Sequence, residues 1–227
     1  MARIGVFGGS FNPIHYGHLL LADEVREILT LDRILFVPAG APPHKAAAGL
    51  APAADRHAMV RLAVADHPGL AVSDVELRRP GPSYTVDTLE TLSAPEDELL
   101  LLVGSETFLD LLSWREPARV ARLARLVIGP RLGSAFDPES EAARKVLQGI
   151  GVSDGFVHVT AGEPVPPRGL PIVHATSLPI SASELRRRAA EGRSLAFRLP
   201  PAVIAYIRDH GLYRARDTGA TPGPDPA

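Results

Sequence analysis

The 227-residue sequence contains no cysteine. That absence excludes a disulfide scaffold, a thiolate metal site, an iron–sulfur cluster and a cysteine nucleophile. Lysine is almost missing: Lys45 and Lys145 are the only two, so any lysine chemistry must fall on one of them. The other basic residues are arginines. A formal net charge of −2 argues against a dedicated nucleic-acid binder, which presents a strongly basic face. Aromatic residues make up only 5%. No apolar run approaches the ~20 residues that cross a bilayer as a helix. Met1–Val6 lacks the basic-then-apolar pattern of a secretory leader, so a soluble, cytoplasmic protein is expected, with no membrane partner. Glycine and proline, by contrast, are abundant at 20 and 22 residues. The hydrophobic content is an ordinary 45%, in a chain long enough to bury a substantial core.

Short apolar runs alternate with amphipathic helical ones. Extended segments are expected at Arg3–Phe7, Ile34–Val37, Leu70–Leu77, Leu99–Val103, Leu126–Ile128, Phe156–Thr160 and Ile172–Ala175. Helices are expected at Gly17–Leu29, Asp55–Asp66, Tyr84–Leu92, Pro117–Leu123, Ser181–Glu191 and Pro201–His210. Leu99–Val103 is continuously apolar and ends at Gly104, as a strand buried on both faces would be. The alternation predicts βαβ units. The fold class is α/β, with a mostly parallel sheet, helices on both faces and a small C-terminal helical subregion. Residues 1–214 read as one domain, and 215–227, polar and rich in Gly and Pro, as a disordered tail. Ligands of such sheets sit at the carboxyl ends of the strands, here the loops after Phe7, Val37 and Val103.

The first of these loops carries the strongest signal. Gly8-Gly9-Ser10-Phe11-Asn12-Pro13-Ile14-His15-Tyr16-Gly17-His18 follows a strand and opens a helix. Gly8 and Gly9 let a ligand approach the backbone. Backbone N–H groups at the helix start favour an anion such as phosphate. His15 and His18 share one face, and Gly17 leaves room for a flat group. Spacing alone leaves three readings open: hydrogen bonds to phosphate, a metal site with His44 as third ligand, or polar residues capping a helix. The loop is neither a Gly-x-Gly-x-x-Gly dinucleotide fingerprint nor a P-loop.

These residues resemble the motif of the His-x-Gly-His nucleotidyltransferases. Further segments narrow the resemblance to the nicotinate mononucleotide adenylyltransferase family. They are Pro38–Lys45, Pro82–Leu89, Gly104–Trp114, Ile180–Arg186 and the ending Gly211-Leu212-Tyr213-Arg214. The resemblance covers about residues 3–214 and implies a Rossmann-like nucleotidyltransferase fold. It implies joining of ATP and nicotinate mononucleotide to give nicotinate adenine dinucleotide and pyrophosphate. Positioning and charge stabilisation supply most of such catalysis, and an anionic nucleophile needs no general base.

The same resemblance assigns His15 and His18 as catalytic. It implies ATP binding by Gly8, Gly9, Ser10, Phe11, Gly17, Gly104, Ile180, Ser181, Ser183 and Arg186. It implies mononucleotide binding by Asn12, His44, Lys45, Ser83, Tyr84, Thr85, Glu106 and Trp114, with Trp114 stacking on the pyridine ring. Mg²⁺ would arrive with ATP, held by phosphates and water rather than by a protein metal site. A homo-oligomer is left open. Two positions depart from the family pattern: Glu106 stands where aspartate is usual, and Ser183 where threonine is usual. The alternatives are a nicotinamide mononucleotide or phosphopantetheine adenylyltransferase, a non-catalytic nucleotide-binding module, or a metal-dependent hydrolase using His15, His18 and His44.

Overall fold

The computed structural model describes residues 1–42, 49–129 and 136–214. In chain order, β1 (Arg3–Gly9), α1 (Tyr16–Ile28), β2 (Arg33–Pro38), α2 (Ala53–Val64) and β3 (Leu70–Val72) come first. Then follow α3 (Val75–Arg78), α4 (Thr85–Leu92), β4 (Glu98–Gly104), α5 (Ser105–Leu109) and a 3-10 turn at Leu111–Ser113. The chain continues through α6 (Pro117–Leu123), β5 (Arg125–Gly129), α7 (Glu141–Ile150), β6 (Phe156–Val159) and β7 (Leu170–Val173). It ends with α8 (Ala182–Ala190) and α9 (Pro201–Asp209).

The seven strands form one sheet in the order β3-β2-β1-β4-β5-β7-β6, with each neighbouring pair parallel. The chain winds outward one way from β1 through β2 and the other way from β4 through β5. Between β1 and β4 the winding reverses, the position above which sheets of this kind receive ligands.

Both faces of the sheet are covered, which accounts for the unbroken apolar run in β4. Leu100 and Leu102 join one buried cluster with side chains of α1, α2, α8 and α9. Leu99, Leu101 and Val103 join the opposite cluster with side chains of α4, α5, α6 and α7. The C-terminal helices build no core of their own: Leu185, Val203 and Ile207 lie in the first cluster beside Val25 and Met59. The Tyr206 hydroxyl donates to Asp55 Oδ1 at 2.9 Å, tying α9 to α2.

Two local expectations change. The segment expected to be extended over Leu70–Leu77 is a strand only at Leu70–Val72 and turns helical at Val75. The turn delivers the Glu76 carboxylate inward, where it accepts from Thr88 Oγ1 at 2.7 Å, and that bond outweighs extended propensity. The strand expected at Ile172–Ala175 sits at Leu170–Val173. Helix α7 was not anticipated, although its signals are local. Ser140 Oγ accepts from Ala143 N at 3.2 Å, the apolar positions run Ala143, Val146, Leu147, Ile150, and Gly151 closes it at φ 74°.

Leu101 is 2% exposed at the centre of β4. Leu101→Ala is expected to lower the unfolding free energy by about 2–5 kcal/mol through lost burial and a residual cavity. Urea denaturation measures this, and a loss below about 1 kcal/mol would contradict the two-faced core.

Candidate active site

The C-terminal ends of β1, β2, β4 and β5 are aligned by register: Gly9 lies opposite Pro38, and Gly104 opposite Gly129. The loop after β1 runs along this edge, and Phe11–His15 are all buried. Phe11 has φ 42° and points its ring downward, 5.5 Å from Phe7 and 5.5 Å from Phe36 between centroids. Burial of a phenyl ring, about 1.5–3 kcal/mol, offsets the cost of the left-handed backbone. A Cβ on Gly9 would come within 3.0 Å of the Phe11 ring, whereas one on Gly8 would meet nothing within 4 Å. Of the two glycines, Gly9 makes room for Phe11 and Gly8 leaves space open at the sheet edge.

His15 is the N-terminal boundary of α1, and its carbonyl accepts from His18 N at 2.9 Å. The two imidazoles stack, with centroids 3.7 Å apart and planes 24° from parallel. Gly17 permits this, since a Cβ there would sit 3.1 Å from His15 Nδ1. The flat group that needs the space over Gly17 is therefore the protein's own imidazole. Phe11 meets His18 edge-on at 5.2 Å and fixes the outer side of the pair.

Asn12 joins distant segments. Its amide donates to the Gly49 carbonyl at 2.8 Å, and its Oδ1 accepts from Ala51 N at 3.1 Å and Tyr213 Oη at 2.7 Å. Burial pushes the Tyr213 phenol well above its ordinary pKa, so this donor stays protonated through the physiological range. The Asn12 carbonyl accepts from Arg186 Nη1 at 2.8 Å, which brings α8 against the loop. At the start of α8, Ser181 Oγ accepts from Glu184 N at 3.3 Å and lies 3.3 Å from Ser183 Oγ. Both serines are exposed, and Ile180 packs against the first cluster. Arg187 pairs with Glu184, and Arg188 donates to the Ser194 carbonyl.

Across the sheet, the loop after β2 meets the segment before α4. Ala41 N donates to Ser83 Oγ at 3.0 Å, and Ser83 N donates to the Ala41 carbonyl at 2.9 Å. Gly40 touches the α3 backbone so closely that a Cβ would lie 2.5 Å from the Glu76 carbonyl oxygen. Arg79 donates to Thr88 Oγ1 and to the Tyr84 carbonyl, holding the residue that precedes Thr85 at the start of α4. The Arg115 guanidinium lies 4.8 Å over the Tyr84 ring, placing the segment after Trp114 against α4. Tyr84 and Trp114 both pack on the second cluster, and Glu106 is exposed on α5, just past Gly104. His44 and Lys45 lie outside the described residues.

Sequence reasoning missed three charged residues beneath this edge: Arg56, Glu76 and Arg79. Arg56 is 1% exposed. It donates to four carbonyls, those of Ala51, Ser10, Ala39 and Gly40. Burial lowers its pKa, an effect that the nearby Tyr213 oxygen and the Glu76 carboxylate oppose. A signal existed: Arg56 shares the helical face of Met59 and Val60, where an arginine is out of place unless its charge is satisfied inside. Among the described residues no group of three or more His, Cys, Asp or Glu side chains could hold a metal ion. No helix among them is long and apolar enough to cross a membrane.

A parallel sheet reversing at β1 and β4, with a glycine loop and paired imidazoles over the reversal, is the arrangement of nucleotidyltransferases. Residues 6–188 match the family described as cytidylyltransferase-like, which places the chain in that class. The chain is 43% identical over 94% of its length to a protein of Roseiflexus sp. (strain RS-1), covering 98% of that protein. It is 45% identical over 93% of its length to one of Thermus thermophilus, covering 100% of it. Both are named "Probable nicotinate-nucleotide adenylyltransferase". The chain belongs to the nicotinate-nucleotide adenylyltransferase family. Its fold matches that of the Plasmodium falciparum nicotinic acid mononucleotide adenylyltransferase complexed with NaAD. The TM-score is 0.70 at 21% identity, over 94% of this chain and 98% of that one.

Because the Glu76 backbone cannot swing aside, Gly40→Ala is expected to separate the loop after β2 from Ser83. The expected cost is about 1–3 kcal/mol. Amide hydrogen exchange at Ala41 and Ser83 reads the separation directly, and unchanged protection there would contradict it.

Proposed function

We propose that this protein transfers the adenylyl group of ATP to nicotinate mononucleotide, forming nicotinate adenine dinucleotide for NAD biosynthesis. The observation that carries the reading is the division of the site. Of the residues implicated in ATP binding, Phe11 and Ile180 pack on one face of the sheet, and Arg186 bonds the loop before α1. Tyr84 and Trp114, implicated in binding the pyridine nucleotide, pack on the other face. In this reading both sets serve one site at the reversal between β1 and β4.

A phosphate oxygen of the mononucleotide attacks the α-phosphorus of ATP. The bond from that phosphorus to the bridging oxygen breaks, and pyrophosphate leaves with the electron pair. The nucleophile is already an anion, so the chain's work is placement and charge stabilisation. His15 and His18 donate hydrogen bonds to the phosphate oxygens on which charge develops. Gly8 and Ser10 border the phosphates, and the start of α8 with Arg186 receives the outer ones through N–H groups and a charge-assisted contact. Phe11 and Asn12 serve this site from below, the first by its ring packing and the second by holding the loop in place. Gly104 bounds the site on the β4 side, with Glu106 and Thr85 facing the mononucleotide.

Nucleotidyltransferases acting on ATP generally use a divalent metal. In this reading Mg²⁺ enters as part of the ATP substrate, held by its phosphates and water.

The test is a substrate panel with ATP, offering nicotinate mononucleotide, its amide analogue and phosphopantetheine to the purified enzyme. Pyrophosphate release is expected to be fastest with the nicotinate compound, and faster use of either alternative overturns the assignment. His18→Ala is expected to lower kcat by about 10²–10³-fold, the usual loss for one charge-stabilising donor. Near-native turnover would remove His18 from the mechanism. Trp114→Ala is expected to raise the KM for the mononucleotide more than that for ATP, and equal increases would count against ring stacking.

A further inference from the structure

The glycine loop after β1 and the loop after β2 are far apart in sequence and belong to different substrates in the proposed reaction. One side chain bonds to both. From α2, Arg56 donates from Nη1 to the Ser10 carbonyl at 2.9 Å and from Nη2 to the Ala39 carbonyl at 2.6 Å and that of Gly40 at 3.3 Å. Its Nε donates to the Ala51 carbonyl at 2.9 Å, where the loop after β2 returns to α2. The guanidinium is planar, and its donors diverge at fixed angles, so these bonds also set the separation of the acceptors. Its base is firm: Met59 and Val60, on the same helix face, are 0% exposed.

We propose that Arg56 is a positioning residue that couples the two substrate loops, so that filling one loop orders the other and brings the attacking phosphate in line with the α-phosphorus. The inference rests on the reaction assigned above. Reaction between two bound phosphates requires near-contact alignment, and displacing either loop by a fraction of an ångström lowers the rate at saturating substrate. A lysine at this position keeps the charge but offers a single ammonium in place of the fork.

The test compares wild type, Arg56→Lys and Tyr206→Phe in the full chain. Tyr206→Phe removes the α2–α9 hydrogen bond and touches neither loop, so it controls for loosening of α2. Arg56→Lys is expected to lower kcat at least tenfold under conditions where circular dichroism shows it folded, while Tyr206→Phe stays within about twofold of wild type. Arg56→Lys with kcat within twofold of wild type overturns the coupling, and so does an equal fall in both variants. Amide hydrogen exchange on the wild type, with ATP alone, supplies an arm that needs no variant and decides if Arg56→Lys does not fold. Protection is expected at Gly40 and Ala41 as well as in the glycine loop, and protection confined to residues 8–18 overturns the proposal. Absence of wild-type turnover would refute the assigned reaction instead, and the exchange arm would still judge the coupling.

Discussion

A loop without regular structure lies buried along the edge of the sheet, and its peptide groups must be satisfied there. Most of this site follows from that constraint. Residues Phe11–His15 are removed from water, so their carbonyl and N–H groups cannot be left to solvent without losing roughly 1–3 kcal/mol each. Side chains drawn from elsewhere hold the loop: Arg186 bonds the Asn12 carbonyl, Arg56 the carbonyl of neighbouring Ser10, and Tyr213 the side-chain Oδ1 of Asn12. Each donor belongs to a different element. Burying one loop therefore ties α2, α8 and the end of the chain to the same point.

The choice of donor matters in a protein with two lysines. Arginine presents five N–H groups in one plane and can satisfy several carbonyls at once while its charge stays buried. Arg56, Arg79 and Arg125 are all used in this way, toward backbone carbonyls or hydroxyls rather than carboxylates. The exposed pairs, such as Arg78 with Asp74 and Arg187 with Glu184, contribute little by comparison, since water and salt screen them. Arg56 thus places positive charge beneath the strand ends proposed to receive phosphates, although the whole chain is slightly acidic, whereas Arg125 begins β5 at the opposite edge of the sheet.

Much of the fold was legible along the chain. The run Leu99–Val103 announced a strand covered on both sides, and β4 is covered on both sides. The glycine-rich segment before α1 announced the site, and His15 and His18 share one face and stack. The purposes of individual residues were less legible. Gly9 looked like space for a ligand and is space for Phe11. Gly17 looked like space for a flat group, and that group is His15. Asn12 and Phe11 looked like ligand contacts, yet the amide is spent on Gly49, Ala51 and Tyr213, and the ring is 2% exposed. In each case the structure shows a partner that is another part of the protein.

The sequence by itself determined what depends on neighbours in the chain. This covers the alternation of strands and helices, the two buried faces of β4, the capping serine of α8 and the ordered motifs that mark the family. Periodicity and local hydrogen bonding operate over a few residues, so they can be read in order. Only the tertiary structure decided which donor meets which acceptor over longer spans. Asn12 and Tyr213 are 201 positions apart, Asn12 and Arg186 are 174 apart, and Ser10 and Arg56 are 46 apart. Nothing local distinguishes Arg56 from a solvated helix arginine except its neighbours Met59 and Val60. Its partners exist only once the parallel sheet has brought the ends of β1 and β2 side by side above α2.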